Sequence, residues 1–449
     1  MNIYKKNSSY LCGFISVLCI VFLGYFTDRA AFYQLFFLVS VLFVGYFNFI
    51  KNNEQNAATL LGLGLIFRII LLGCTPFLSQ DFYRFIWDGR LLASGFSPYE
   101  FTPTQIIFST HIEQAKLLFD GMGSLSASHF SNYPPVNQLF FALAGLFSSN
   151  SILGSILIFK TIIILADVGI YFIGKRILKL MLLNENNIFF YFLNPLVIIE
   201  LTGNLHFEGV MLFFFVVGIY FLIRKQLILS SLFIALSIST KLLPLLLLPI
   251  LINYIGWKKS IPFYASIILL NIAFFLPFVS SHLLDNYFNT IALWFVNFEF
   301  NASFYYLIRA IGFYFKGYNI IGSVGQLMPL LLIVFVVLMA SIRKNTTSQQ
   351  VFTSFLMVLS VYFFQATTVH PWYVINLILI ACFTKYRFPM VWSFSVFLSY
   401  FAYSNAFFKE NLLLVLVEYL LVFGFLFYEI WDEKKGIRKS YFNINPTAA

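Results

Sequence analysis

Charge is scarce in these 449 residues: Asp, Glu, Lys and Arg make up 10% of the chain, against 60% apolar side chains and a mean hydropathy of +0.86. So few charges cannot cover a water-exposed surface, which excludes a soluble multidomain protein, and they are too few to line a wide aqueous pore. Cysteine is rare too. Cys12, Cys19, Cys74 and Cys382 have neither metal-ligand nor redox spacing, and three of them lie inside apolar runs, so they read as core thiols. Acidic residues are outnumbered, 18 against 28 basic ones. The basic excess falls in pairs between apolar runs rather than in one patch, so it argues for membrane topology and against nucleic acid as a partner. There is no internal repeat and no linker that would divide the chain into independent domains.

What is present is apolar length. Runs of about 17 to 22 residues recur from Tyr10 to Ile430, the length a helix needs to cross hydrocarbon. The expected fold class is an all-α polytopic transmembrane helix bundle of about 12–14 spans. Lys5 and Lys6 precede the first run without a cleavage site behind it, as in a retained signal anchor. Runs at 9–26, 31–50 and 57–73 are followed by a long mixed stretch, 74–132, expected to be an extracytoplasmic first loop carrying interfacial helices. Lys5/Lys6, Lys175/Arg176/Lys179, Arg224/Lys225, Lys258/Lys259, Arg343/Lys344, Lys385/Arg387 and the tail from Lys434 mark the cytoplasmic side. This puts outside the first loop, the turn GNLHFEG, the segment from Ser280 to about Gly322, and the turn TTVHPWY. Runs starting at Tyr133 and Leu153 give two crossings where an odd number is needed. Either one is half-inserted or the first loop hides another crossing.

The first loop opens with LSQDFYRFIWDGR, where a helix would set Asp81, Arg84 and Asp88 on one face beneath Phe82, Tyr83 and Trp87. A carboxylate there could act as a general base while the guanidinium meets a phosphate; the plain alternative is an ordinary Arg84–Asp88 pair on an interfacial helix. Glu200, His206 and Glu208 surround a glycine turn close to hydrocarbon, where ionisable groups are costly; as metal ligands their spacing is a weak signal. Lys241 either holds a phosphate or snorkels, and His370 opens another run beside the interfacial Trp372 and Tyr373. Arg309 is a further outer basic residue, and Lys160 and Asp167, two turns apart, are expected to neutralise each other.

The order DFYRFIWDGRLLASGFSPYEF, YPPVNQLFF, Asp167 in an apolar run, NPL, GN, KLLP and HPWY resembles the GT-C superfamily of membrane glycosyltransferases, nearest to polyprenyl-phosphate-mannose-dependent mannosyltransferases, including the bacterial enzymes and the catalytic subunit of GPI mannosyltransferase I. The resemblance covers about residues 60 to 380. It implies transfer of a sugar, with mannose expected, from a polyprenyl-phosphate donor to a glycan or lipid-linked acceptor hydroxyl at the extracytoplasmic face of a multi-pass membrane protein, in bacteria the inner membrane. Asp81 takes the family's essential acidic position, with Asp88 second. Arg84, Lys241 and Arg309 are expected at the donor phosphate, and Tyr83, Trp87, Glu200, His206, Glu208, His370 and Trp372 around the substrates. The GPI enzyme's Asp-x-Asp reads Ser79, Gln80, Asp81 here, which leaves a divalent cation, Mg or Mn, in doubt. Residues 1–56 would be additional helices, 57–380 the catalytic module, and 381–449 C-terminal helices with a basic cytoplasmic tail. The rivals are a lipid or solute transporter and a noncatalytic subunit of such an enzyme. Single cysteines in the first loop, beside His206, after Ser280 and beside His370, in a background lacking the native four, should all react with an impermeant reagent from outside; labelling of any one only after permeabilisation would break the shared face.

Overall fold

A computed structural model describes residues 2–51, 57–296, 298–405 and 407–435; the tail beyond 435, assigned to the cytoplasm from its basic residues, lies outside the described residues. Hydrocarbon offers backbone amides no partner, so the chain satisfies them within helices. Among the described residues the one extended pairing is a parallel bridge between Phe300 and Thr368. A hairpin of α1 (Asn2–Phe26) and α2 (Phe32–Lys51) leads to α3 (Ala57–Ile70) and the turn Leu71–Gly73. The first loop carries α4 (Asp81–Ala93), α5 (Pro103–Ile106) and α6 (Ala115–Ala127). Next come α7 (Pro135–Phe147), entered through Pro135 at its first turn, and the long α8 (Ile152–Leu180), capped by Ser151. The short α9 (Phe189–Phe192) and α10 (Pro195–Val197) run into a π-helical turn, Ile198–Gly203, after which α11 (Glu208–Ile223) departs at 113°. Helices α12 (Leu227–Ile238), α13 (Ile252–Ile255), α14 (Trp257–Phe275), α15 (Leu283–Val296), α16 (Phe304–Lys316), α17 (Ile321–Ser341), α18 (Ser348–Gln365), α19 (Val374–Ala381), α20 (Phe388–Ser395) and α21 (Leu412–Lys435) follow.

The bundle is all-helical, as expected, but its helices are shorter than the apolar runs. Among the described residues five segments are long and apolar enough to cross alone: Phe32–Lys51, Ile152–Leu180, Trp257–Phe278, Ile321–Ser341 and Leu412–Glu433; the bent pair around Asn204 is a sixth if it is counted as one span. Further apolar helices, such as Leu227–Ile238 and Leu243–Ile255, have only 10–17 residues. Against the expected 12–14 spans stand five or six segments long enough to cross alone and a set of shorter apolar helices. Pro244, Pro249, Pro371 and the Asn204 break interrupt runs that look continuous by composition. Among the short ones is α7, whose 13 residues rise about 20 Å, less than the roughly 30 Å of hydrocarbon, so α8 is the full crossing between the first loop and Lys175.

Buried ions fix the first loop's entry. On α8, Asp167 accepts from Arg68 Nε at 2.9 Å and from Tyr191 Oη at 2.7 Å, while Arg68 also donates to the carbonyls of Gly64 and Phe192. One helical stretch up, Lys160 donates to the carbonyls of Leu71 and Cys74. Lys160 and Asp167 therefore do not neutralise each other: both point at α3 and the turn after it, and each clamps a different part. All three charges are fully buried, so removing one partner would strand another in a medium that cannot solvate it.

Two glycines let α4 and α7 touch backbone to backbone. A Cβ at Gly89 would lie 2.0 Å from the Phe141 carbonyl oxygen, and one at Gly145 would lie 2.3 Å from that of Gly89. Gly89→Ala should therefore cost at least about 1–3 kcal/mol by overpacking, read as a lower thermal unfolding midpoint in detergent. An unchanged midpoint would show that the two helices do not meet there.

Candidate active site

The bent helix supplies the centre of the site. After the π-turn the backbone passes through Leu205 at φ 65°, and Asn204 sits at the bend with its carboxamide used on both ends. Asn204 Oδ1 accepts from the backbone N–H of Phe77 (3.2 Å) and Leu78 (2.9 Å), and Nδ2 donates to Ile199 O (3.1 Å) and Glu200 Oε2 (3.4 Å). Amides that would otherwise be orphaned at the start of the first loop are thereby satisfied by the bend itself. Three residues later the chain enters α4 at Asp81.

Around this point the structure collects most of the residues singled out in the sequence. Glu200 is fully buried and accepts from Tyr400 Oη, with His206 Nε2 at 3.4 Å. Glu208, the first residue of α11, pairs through Oε1 with Lys241 and leaves Oε2 buried without a partner. His206 stacks on Trp372 at 3.8 Å between ring centroids, Trp372 on His370 at 4.3 Å, and Phe300 lies 5.2 Å from His370, so four rings form a continuous row. Lys241 projects its charge on Asp81, His206 and His370 alike.

Asp81 stands apart among the acids of the site. It is half-buried, and among the described residues its carboxylate accepts no hydrogen bond and forms no ion pair. Burial pushes its pKa up to about 6, with Glu208 adding to the rise and Lys241 and Arg29 opposing it. A half-open, unpartnered carboxyl group that ionises near neutrality is equipped to take a proton.

Other expected site residues are placed elsewhere. Arg84 and Asp88 form the ordinary pair, Nε to Oδ1 at 2.7 Å; Arg84 also donates to the carbonyls of Ser126 and His129, and Asp88 accepts from Gln138 Nε2. Both are buried and stitch the first loop to α7, so Arg84 is not presented to a phosphate nor Asp88 to an acceptor. Phe82 and Trp87 point into the core and Tyr83 lies against Gly121, so the aromatic lid over Asp81 does not form. Arg309 pairs with Glu299 and covers the Tyr306 ring at 4.3 Å, in a second polar cluster with Asn319 and Glu410. Among the described residues no three His, Cys, Asp or Glu side chains gather as metal ligands, and Glu200 and Glu208 are already engaged, which leaves Asp81 as the carboxylate of the site open to a cation. The groove expected beside Asp81 does not coincide with either of two small cavities of about 10 Å³, which lie between Met211 and Ile380 and between Ile219 and Phe352. Tyr400, Tyr403 and Arg29 were not singled out by sequence, and Asn204 entered only through the GN motif; an Asp-Arg pair in the short turn between two apolar runs, Asp28–Arg29, was the available signal.

A multi-pass helical bundle with an unpartnered carboxylate beside a lysine and a row of stacked rings has the makings of a membrane-embedded transferase. The family model for "Alpha-(1->6)-mannopyranosyltransferase, N-terminal domain" matches residues 15–256, more than half of the chain. The protein belongs to this MptA/B family of mannosyltransferases, as the resemblance read from the ordered motifs implied. No curated protein and no solved structure matches. The match begins at residue 15, so it takes in most of the α1–α2 hairpin that the sequence reading had set aside as an addition.

Asn204→Ala would leave the Phe77 and Leu78 amides without their acceptor, at about 1–3 kcal/mol for each buried donor. The variant should unfold at lower temperature and, in surviving folded protein, transfer mannose at least about tenfold more slowly because Asp81 loses its anchor. Full activity in a destabilised variant would separate the bend from the chemistry.

Proposed function

We propose that the protein transfers mannose from a polyprenyl-phosphate donor to a hydroxyl of a glycan or lipid-linked acceptor at the extracytoplasmic face, in one displacement that inverts the anomeric carbon. The observation that carries this reading is the Asp81 carboxylate, unpartnered at the N-terminus of α4 and beside Lys241. Asp81 removes the proton from the acceptor hydroxyl as its oxygen attacks the anomeric carbon, and the bond to the donor phosphate breaks on the opposite side. The departing phosphate needs positive charge more than a proton, and Lys241, held by Glu208, is placed to give it. His206, Trp372 and His370 offer a stacked wall against which a sugar ring can lie. Glu200 acts through His206 and Asn204, holding the bend in shape. No step is routed through a metal ion.

Membership in a transferase family replaces the transporter reading. A noncatalytic subunit would retain the bundle without needing the acid, and Asp81→Asn separates the two. The variant should express and fold normally while losing at least about a hundredfold in transfer of labelled mannose from a polyprenyl-phosphate donor in membranes. In the unaltered protein the carboxyl group is neutral below about pH 6 and ionised above it, so transfer should rise about tenfold per unit up to that pH and then level off. Near-normal transfer by the Asn variant, or a rate flat from pH 4.5 to about 7, would remove Asp81 from the role of base.

A further inference from the structure

We propose that Arg29, in the turn between α1 and α2, is a second residue that binds the donor phosphate, so that the N-terminal hairpin contributes directly to the active site. The inference rests on the polyprenyl-phosphate reading above and goes beyond it by adding a residue from outside the module first assigned to catalysis.

The geometry is specific. Arg29 Nη2 donates to Gln80 Oε1 at 3.2 Å, and Gln80 is the residue immediately before Asp81. Gln80 Nε2 in turn donates to Met122 O at 3.3 Å, which ties the turn to α6 as well as to α4. The guanidinium lies 4.9 Å from the centroid of the Tyr403 ring, and its charge reaches Asp81. Tyr403 borders Phe300 and Tyr400, the first next to His370 and the second bonded to Glu200, so Arg29 sits at the rim of the same constellation.

Charge accounting then singles it out. Arg68 is paired with Asp167, Arg84 with Asp88, Arg309 with Glu299 and Lys241 with Glu208, and the buried Lys160 is used by the Leu71 and Cys74 carbonyls. Arg90 is buried and donates to Glu113 O and Gln114 Oε1. Arg29 is half-buried, and among the described residues it has no acidic partner and one side-chain hydrogen bond out of the five N–H donors of a guanidinium. The Tyr403 ring steadies the guanidinium at 4.9 Å while most of its donors stay open, and such a fork suits a phosphate oxygen pair better than a lone ammonium does. Asp81 and Arg29 are thus a carboxylate and a guanidinium with no ion-pair partner among the described residues, on the same rim, one suited to the acceptor hydroxyl and the other to the leaving phosphate. Next to Lys241, already half cancelled by Glu208, Arg29 supplies the uncompensated charge a phosphate monoester needs.

The test uses the full-length protein in lipid nanodiscs. Binding of polyprenyl phosphate is measured by competition against a labelled polyprenyl-phosphate sugar, with phosphate-free polyprenol, inorganic phosphate and phosphatidylglycerol as parallel competitors, and transfer kinetics are recorded alongside. Arg29→Ala should weaken polyprenyl phosphate at least about tenfold and raise KM for the donor by a similar factor, with the loss confined to that competitor. Arg29→Lys should recover part of the affinity. Gln80→Ala cuts the hydrogen bond but keeps the charge and should bind polyprenyl phosphate within about threefold of the wild type. Equal binding by wild type and Arg29→Ala, or the same loss in Gln80→Ala as in Arg29→Ala, would overturn the assignment, the second by making Arg29 a mere brace for Gln80. Inorganic phosphate or phosphatidylglycerol competing as well as polyprenyl phosphate would overturn it as well. Wild-type protein that binds polyprenyl phosphate through Arg29 yet transfers no mannose would sink the proposed reaction and leave this site standing.

Discussion

A backbone that turns by 113° inside a helix bundle leaves amides and carbonyls that no bilayer can hydrogen-bond, and the way this chain meets that constraint organises the rest of it. The Asn204 carboxamide serves as a substitute backbone: its acceptor takes two N–H groups from another segment and its donor returns to the carbonyl of Ile199. Because those two N–H groups belong to Phe77 and Leu78, closing the bend also fixes where α4 begins. Position and satisfaction are solved by one side chain.

The same coupling of neutrality to placement recurs along the entry to the first loop. Lys160 and Asp167 on α8 each hold a different part of the α3 end, and Arg84 with Asp88 holds the loop against α7. These pairs are weak evidence for stability in themselves, since desolvation offsets much of their attraction, but each constrains the orientation of a short helix with little apolar surface of its own. Once these charges have cancelled, Asp81 remains without a partner at the N-terminus of α4, where the helix dipole tolerates its ionised form.

Hydropathy made the membrane class and the all-helical fold plain, because a continuous apolar composition has one physical outcome in a bilayer. It gave no sign of which runs are cut short, since prolines and one asparagine break helices without lowering the average apolarity. Ordered motifs brought Asp81, Lys241, His206, Glu208, His370 and Trp372 to one place, although their separation along the chain hides every contact among them. Spacing offered the ordinary Arg84–Asp88 pair, which is what forms, and it was the resemblance that carried both residues to the substrates; neither pointed to Arg29 in its turn or to Tyr400 in its apolar run. A residue whose role is set by a partner 51 or 200 positions away leaves no periodic trace.

Helices α14 and α17 bury only 17% and 22% of their apolar windows, so most of their surface is left to acyl chains. An isoprenoid laid against such a face trades one hydrocarbon neighbour for another, with almost no gain in free energy. Selectivity must then come from the few ångströms around the headgroup. With the lipid-linked donor proposed above, the protein would read the charged end of its carrier rather than the length of the tail, and the bilayer would serve as the reservoir that delivers and withdraws that tail.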